Sequence, residues 1–395
     1  MSFFPNQPRV LWRQVWGLAA IQAAITLAWL IYGAYLPKLL TELGLPAGLG
    51  LKLLIVESAL AVMMEPLMGG LSDQSYRWVG SRFPFIAIGI IFSSAFFILI
   101  PAVVIFGSPT EVFQWLLIAV LVVWSLAMTV FRSPAIALLG KYATPKDLPL
   151  AASLLTLFGG LVGAFRPVAN QFLLNNFPPM FIFALGSFIL LGAGAVLRAV
   201  QIPEAPNLSD RPTSLDQSVF LSLIFISTTG TLVGWGIRFL MDVLGKLVNG
   251  QLGAERGSLI MVLVGLVLAV LALPAGKIAT NFGNRNTLIF SLGAASLGLL
   301  GMGVFPNFLW LLALVVIPAF SVILNSMIPW ILSLVPSDRT GLGIGSYFGG
   351  FSAAMALVGL IFPDFSVITP MMGAVYGAVA FMGGAMCVKF AFADG

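Results

Sequence analysis

The chain has 395 residues, of which 59% are hydrophobic and only 8% charged, with a mean hydropathy of +1.06. A soluble chain carries roughly a quarter charged residues to cover its water-facing surface, so this one is a polytopic membrane protein, and aqueous enzymes, nucleic-acid binders and secreted disulfide scaffolds are excluded. The single cysteine, Cys387, allows no intrachain disulfide, and the lack of histidine removes His-ligated metals and His proton relays together.

A bilayer core about 30 Å thick needs about 20 apolar residues of helix. In chain order, twelve runs meet that length: 14–37, 49–70, 84–106, 112–139, 148–174, 179–200, 217–247, 257–279, 287–304, 307–335, 341–361 and 369–391. They are continuous, whereas barrel strands alternate over about ten residues. The first run is too long for a cleavable signal peptide, and no small-residue cleavage site ends it.

The loops between these runs alternate in charge. One side carries Arg9, Arg13, Arg77, Arg82, Lys141, Lys146, Arg198, Arg211, Lys277, Arg285, Arg339 and Lys389; the other carries Lys38, Lys52, Lys246 and Arg256. This asymmetry of twelve to four predicts that both termini are cytoplasmic, in a multi-pass cell (inner) membrane protein. An even number of spans gives the same answer.

The chain also repeats itself. After the second run stand Gly69-Gly70-Leu71-Ser72-Asp73 and Gly80-Ser81-Arg82; after the eighth stand Gly276-Lys277-Ile278-Ala279-Thr280 and Gly283-Asn284-Arg285. Pro145-Lys146-Asp147 with Phe158-Gly159-Gly160 is matched by Pro336-Ser337-Asp338 with Phe348-Gly349-Gly350. These offsets predict a six-helix half over 1–200, a cytoplasmic linker over 201–216 and a second six-helix half over 217–395.

Twelve spans in two parallel halves, with Gly69-x-Leu71-x-Asp73 and Gly80-x-Arg82 between spans two and three, resemble the major facilitator superfamily. The longer string Pro66-x-x-Gly69-x-x-Ser72-Asp73, then Gly80-x-Arg82-x-Pro84-Phe85-Ile86, is similar to its glycoside and sucrose cation-symporter branch, as are Gln22, Trp29 and Arg132. The resemblance implies an all-α membrane fold of twelve helices in two pseudo-symmetric halves, working by alternating access. The chain departs from that branch in three places. The basic run after Gly80 is thinned, no acid stands between Ala135 and Gly140, and Thr280 replaces the aspartate of the second copy. Proton coupling therefore does not follow from the motif.

Glycine at 69 and 276 lets two helices approach closely. Just past the end of span two, Asp73 is placed to cap a facing helix such as span eleven, which starts near Gly341, or to pair with Arg77, Arg82 or Arg132. Such contacts exist only when the halves meet on the cytoplasmic side, which makes Gly69, Asp73, Arg77, Gly80, Arg82, Gly276 and Arg285 candidate gate residues. The plain alternative is an interfacial loop that satisfies its charges among headgroups. The pairs Gly159/Gly163 and Gly345/Gly349 fit tight packing of spans five and eleven, which in the family slide against spans eight and two.

An ionisable group inside a span costs about 2.5–3.5 kcal/mol on insertion scales. Glu57, Glu65, Arg132, Arg166, Arg238 and Asp242 are so placed. Glu65 and Arg132 lie near the cytoplasmic end and are expected to join the gate. Glu57 lies about 12 Å in from the outer end of span two, and either lines the cavity or pairs with Arg166. Arg166 precedes Pro167, which can bend span five. Arg238 and Asp242 are four apart and can pair, as an interfacial couple or as an outer gate.

In the family, spans one, four, seven and ten line the cavity. Here they carry Gln22, Thr26, Tyr32, Ser125, Thr129, Thr231, Trp235, Ser321 and Asn325, suited to a small neutral or amphipathic solute, though helical Ser and Thr often only bond their own backbone. Without histidine, a coupling proton needs a carboxylate, for which Glu57 is placed; sodium stays open. A monomer in the lipid bilayer with no cofactor is expected. Rival readings are a transporter-fold protein for a hydrophobic cargo (a drug, lipid or pigment), which 32 Phe and 15 Met would suit, and a non-transporting scaffold. No nucleophile–base pair or P-loop points to an enzyme.

Overall fold

A computed structural model describes residues 10–202 and 217–391. These residues are helical throughout, apart from turns and one isolated bridge between Val10 and Ala143. Twelve spans can be followed among the described residues. Ten are helical stretches long and apolar enough to cross a membrane: span 1 (Trp12–Glu42), span 3 (Phe83–Phe106), span 4 (Glu111–Tyr142), span 6 (Pro179–Val200), span 7 (Gln217–Leu252), span 8 (Ala254–Phe282), span 9 (Asn284–Val304), span 10 (Pro306–Leu334), span 11 (Ser337–Ile361) and span 12 (Pro370–Phe390). Span 5 is a pair, Leu148–Gly163 and Arg166–Asn176, bent by 50°. Pro167, in the first turn of the second piece, cannot donate a backbone bond across that break. Span 2 (Leu49–Val79) is 31 residues long and carries five charged side chains. The linker expected over 201–216 lies, from 203 on, outside the described residues, as do Arg9 and Arg211.

Two boundaries bear on the motif. Span 2 continues to Val79 and span 8 to Phe282, so Leu71–Asp73 and Thr280, expected just past the spans, are helical. Nothing in either stretch stops a helix until Gly80 and Gly283. There the chain takes φ of 76° and 88°, which glycine adopts without a Cβ clash.

The buried apolar side chains form two large clusters. One draws on spans 1 to 6, with Leu18, Ile31, Trp124 and Phe183; the other draws on spans 7 to 12, with Leu240, Leu292 and Phe381. Ile136 and Ala137 at the end of span 4 belong to the second cluster, so the two groups of spans meet there. This end carries Arg77, Arg82, Lys141, Lys277 and Arg339, and is called the basic end below.

Span 2 packs along span 11, and span 5 along span 8. The first contact is backbone on backbone: a methyl on Gly69 would collide with the Gly341 carbonyl, and one on Gly345 with the Glu65 carbonyl. In the second contact a methyl on Gly276 would stand 2.7 Å from the Pro149 oxygen. Gly159 and Gly163 do not face span 8 as expected. They receive Gln22 and Thr26 of span 1, while Gly160 meets Ala269 of span 8.

Candidate functional site

Asp73 lies one turn beyond Gly69 on the same face of span 2 and is 2% exposed. Span 11 begins opposite it, and a helix start leaves backbone N–H groups without intrahelical partners. Gly341 donates to one carboxylate oxygen at 2.9 Å and Leu342 to the other at 2.8 Å. The turn at Gly80 folds the chain back, so Arg82 reaches Asp73 with Nη2 at 2.5 Å and Nε at 3.2 Å. Of the three arginines that could pair with Asp73, the structure therefore selects Arg82. Arg77 instead reaches Asp338, in the first turn of span 11, at 3.6 Å.

Immediately before Pro66, Glu65 is fully buried. It accepts from Arg132 and Ser133 of span 4. The Arg132 guanidinium lies 4.3 Å from the ring centre of Phe348 on span 11. Glu65 and Arg132 thus form a separate ion pair deeper than Asp73, stacked against the opposing group of spans.

The second copy of the motif is built differently. Thr280 stands where the carboxylate would be, and its buried hydroxyl makes no hydrogen bond among the described residues. Asn325 of span 10 takes over the contact. Its amide donates to the Pro149 carbonyl at 3.0 Å, and its oxygen accepts from Thr156 at 3.3 Å. Asn325 is fully buried, so it does not line a cavity as expected. Arg285 donates to the carbonyls of Val388 and Lys389 at the end of span 12. It ties two of the last six spans together; the sequence placed it in the gate only by analogy with Arg82.

At the opposite end span 2 still meets span 11, with Ile55 against Gly359. Spans 1 and 7 hardly touch. Along span 1, Gln22, Thr26, Trp29, Gly33 and Pro37 are at least partly exposed while the rest of the helix is largely buried. Thr231, Trp235, Arg238 and Asp242 form a comparable half-buried stripe on span 7. Ser125, Thr129 and Ser321 are buried instead; Thr129 bonds Leu126 of its own helix, and Ser321 bonds Leu268.

Glu57 is 3% exposed and does not reach the cleft surface. Tyr32 donates to it at 2.5 Å, and its second oxygen has no hydrogen-bond partner among the described residues. Tyr32 packs on Trp29 and Trp124, with ring centres 5.6 and 4.5 Å away. The pair with Arg166 considered from sequence does not form. Arg166, in the first turn of the bent half of span 5, is exposed.

Arg238 and Asp242 do not pair either. Asp242 joins Lys246, one turn on, at 2.8 Å. The Lys246 ammonium is fixed there because it also donates to the carbonyls of Phe365 and Ile368, at 2.6 and 2.7 Å. The guanidinium of Arg238 stacks on Phe365, 3.9 Å from the ring centre. Lys246 satisfied the same four-residue spacing in the sequence. Phe348 and Phe365 carried no signal, because ring faces that receive a cation come from spans remote in sequence.

A model of the Major Facilitator Superfamily matches residues 18–360. The chain belongs to this superfamily. Comparison with the curated proteins by sequence gives no match. Among solved structures, this superfamily member resembles the proton:xylose symporter XylE, with a TM-score of 0.73 and 11% identity over 98% of this chain and 96% of that one. It also resembles a bacterial homologue of the iron transporter ferroportin in an outward-facing state (0.71, 12% identity, 96% and 99% covered). The human organic anion transporter MFSD10 gives 0.70 at 16% identity, with 98% and 100% covered. At these identities the likeness is one of fold. Superfamily membership places the protein among multi-pass membrane transporters.

Proposed function

We propose that the protein is a secondary transporter that moves a small amphipathic solute by alternating access, as a monomer. In this reading the basic end is cytoplasmic, the groups 1–200 and 217–395 rock about a central cleft, and the structure is outward-facing. The observation that carries it is that Asp73 holds the start of span 11 by two backbone bonds at the basic end, while spans 1 and 7 stand apart. The bonds from Asp73 to span 11 join the two groups at the basic end and must break when a cleft opens there, so they bias the equilibrium between two states. Gly69, Asp73, Arg77, Gly80, Arg82, Gly276, Glu65 and Arg132 supply the closed end; Gln22, Trp29 and Trp235 border the cleft. Glu57 serves as the coupling carboxylate. Coupling to a cation, and a glycoside as the solute, rest on the resemblance to the cation-symporter branch, and both are put to the test. Proteoliposomes holding the protein should accumulate a labelled aryl glycoside or aryl carboxylate under a proton or sodium gradient. Equal uptake into protein-free vesicles for all of these solutes would refute the reading.

A further inference from the structure

Two buried side chains reach from one group of spans to the other by hydrogen bonds. Asp73 does so at the start of span 11, and Asn325 of span 10 does so at the start of span 5. The two surfaces are built alike up to one residue. Gly341 is the second residue of its helix, Thr340–Ile361, and Pro149 is the second residue of Leu148–Gly163. The carbonyl of each lies against a motif glycine of the other group, Gly341 against Gly69 and Pro149 against Gly276. One turn beyond those glycines stand Asp73 and Thr280. Gly341 donates its N–H to Asp73, but Pro149 has no N–H to give. A carboxylate at 280 would lack a donor that Asp73 has, and a buried charge without its donors is costly. Thr280 and Pro149 therefore match: the surface without the donor is also the one without the acid.

Pro149 keeps its carbonyl, and Asn325 uses it. The amide donates to Pro149 at 3.0 Å and accepts from Thr156, two turns along span 5, at 3.3 Å. Both ends of the amide thus bond the same helix. Asn325 is held in place by its own group of spans. Ser321, one turn before it, donates to the Leu268 carbonyl of span 8 at 3.0 Å, and Asn284 of span 9 donates to the Ser326 carbonyl at 2.9 Å. Gly276 leaves room for the contact, since a methyl there would stand 3.0 Å from the Asn325 amide nitrogen. We infer that Asn325 is a second latch between the two groups of spans, an uncharged one that does for spans 5 and 8 what Asp73 does for spans 2 and 11. Its bonds to span 5 exist only while the groups are together at the start of that span. They join neutral partners, so each contributes less than a bond to Asp73. The inference rests on the transport reading above only in that the two groups separate there.

The test reads that separation directly, on the full chain in detergent with Cys387 replaced by serine. Spin labels at 146 and 281, both exposed, stand at the ends of spans 5 and 8, which pack together. They are compared in the parent and in Asp73→Asn, whose weakened charged latch brings the two states nearer to balance. Asn325→Leu keeps the side chain's size and should lower the ratio of short to long distances roughly tenfold, as expected for two neutral bonds partly regained from water. Thr156→Val removes one of the bonds at constant shape and should lower the ratio roughly threefold. In Asn325→Leu it should change nothing further, because its partner is gone. Distances unchanged by both variants in both backgrounds, or an equal effect of Thr156→Val with and without Asn325, overturn the latch. A lowered thermal midpoint with unchanged distances also overturns it, leaving Asn325 a structural bond. If Asn325→Leu does not fold, Thr156→Val decides by itself. The transport reading can fail separately. Shifted distances in a protein that carries no solute would keep the latch and remove transport. Carriage of solute with distances unmoved in Asn325→Leu would keep transport and remove the latch.

Discussion

Asp73→Asn removes one charge at the contact between spans 2 and 11. The side chain stays about the same size, so packing around Gly69 and Gly341 is kept. The carboxylate now accepts from Gly341, Leu342 and Arg82; asparagine offers one oxygen and turns an amide donor towards the remaining donors. The bond to Arg82 lies within the first six spans and persists in either state of the transporter. Only the two bonds to span 11 differ between states. Bonds to a charged group contribute about 1.5–3 kcal/mol each, and water recovers part of this when the end opens. A net bias of about 3 kcal/mol corresponds to roughly a hundredfold change in the equilibrium between states. Cysteines at 74 and 337 sit on segments that touch at the basic end, and with Cys387 replaced by serine they report closure by disulfide cross-linking. Cross-linking should fall sharply in Asp73→Asn. An unchanged yield would mean that Asp73 only satisfies a surface helix and holds nothing shut.

Three further outcomes follow from the same geometry. Cysteines at 207 and 250 should label from opposite sides of the membrane, 207 from the cytoplasm; labelling of both from outside would overturn the orientation. Glu65→Gln leaves Arg132 without its partner in a buried setting and should cost about 3–5 kcal/mol, read as a lowered thermal midpoint in detergent, and a parent-like midpoint would show the pair to be hydrated. Gly345→Ala drives a methyl into the Glu65 backbone and should cost about 1–3 kcal/mol; a stable protein with the same cross-linking yield at 74 and 337 would show that spans 2 and 11 have room to separate.

Span number and type were legible because bilayer thickness sets helix length. The two copies of the glycine–arginine motif were legible, and in both the first glycine, Gly80 or Gly283, ends a helix at positive φ. Helix ends were less so: the close approach at Gly69 was read correctly, but Asp73 was placed past the end of span 2, whereas the helix runs on to its true stop at Gly80. Among charged residues, local spacing named the right candidates and the wrong partners. Asp242 had cations four residues away on both sides, and Lys246 won because two carbonyls from the turn before span 12 fix its ammonium. Asn325 looked like a cavity amide, since a sequence cannot show that it replaces the missing second aspartate by reaching Pro149.

Glu57 gives the sharpest test of coupling. Two cases stood open from the sequence, a cavity carboxyl or an ion pair with Arg166. Among the described residues no ion pair forms; the Tyr32 hydroxyl donates to one oxygen, and the other has no hydrogen bond. An ionised carboxylate buried with one neutral donor carries a large desolvation cost, which a proton removes. Water reaching the site as the cleft changes shape would let that proton leave, and this exchange is what coupling to a proton gradient needs. Gln at 57 copies the protonated acid in size and charge and still accepts from Tyr32, so folding should be kept, with a thermal midpoint close to the parent. Gradient-driven accumulation should be abolished, because no proton can cycle. Downhill exchange of solute should continue, because the neutral form already permits the conformational change. Measuring both fluxes in the same proteoliposomes separates the outcomes. Accumulation at the parental ratio would take Glu57 out of the coupling path. Loss of exchange together with a collapsed thermal midpoint would make the Tyr32–Glu57 contact a structural bond between spans 1 and 2.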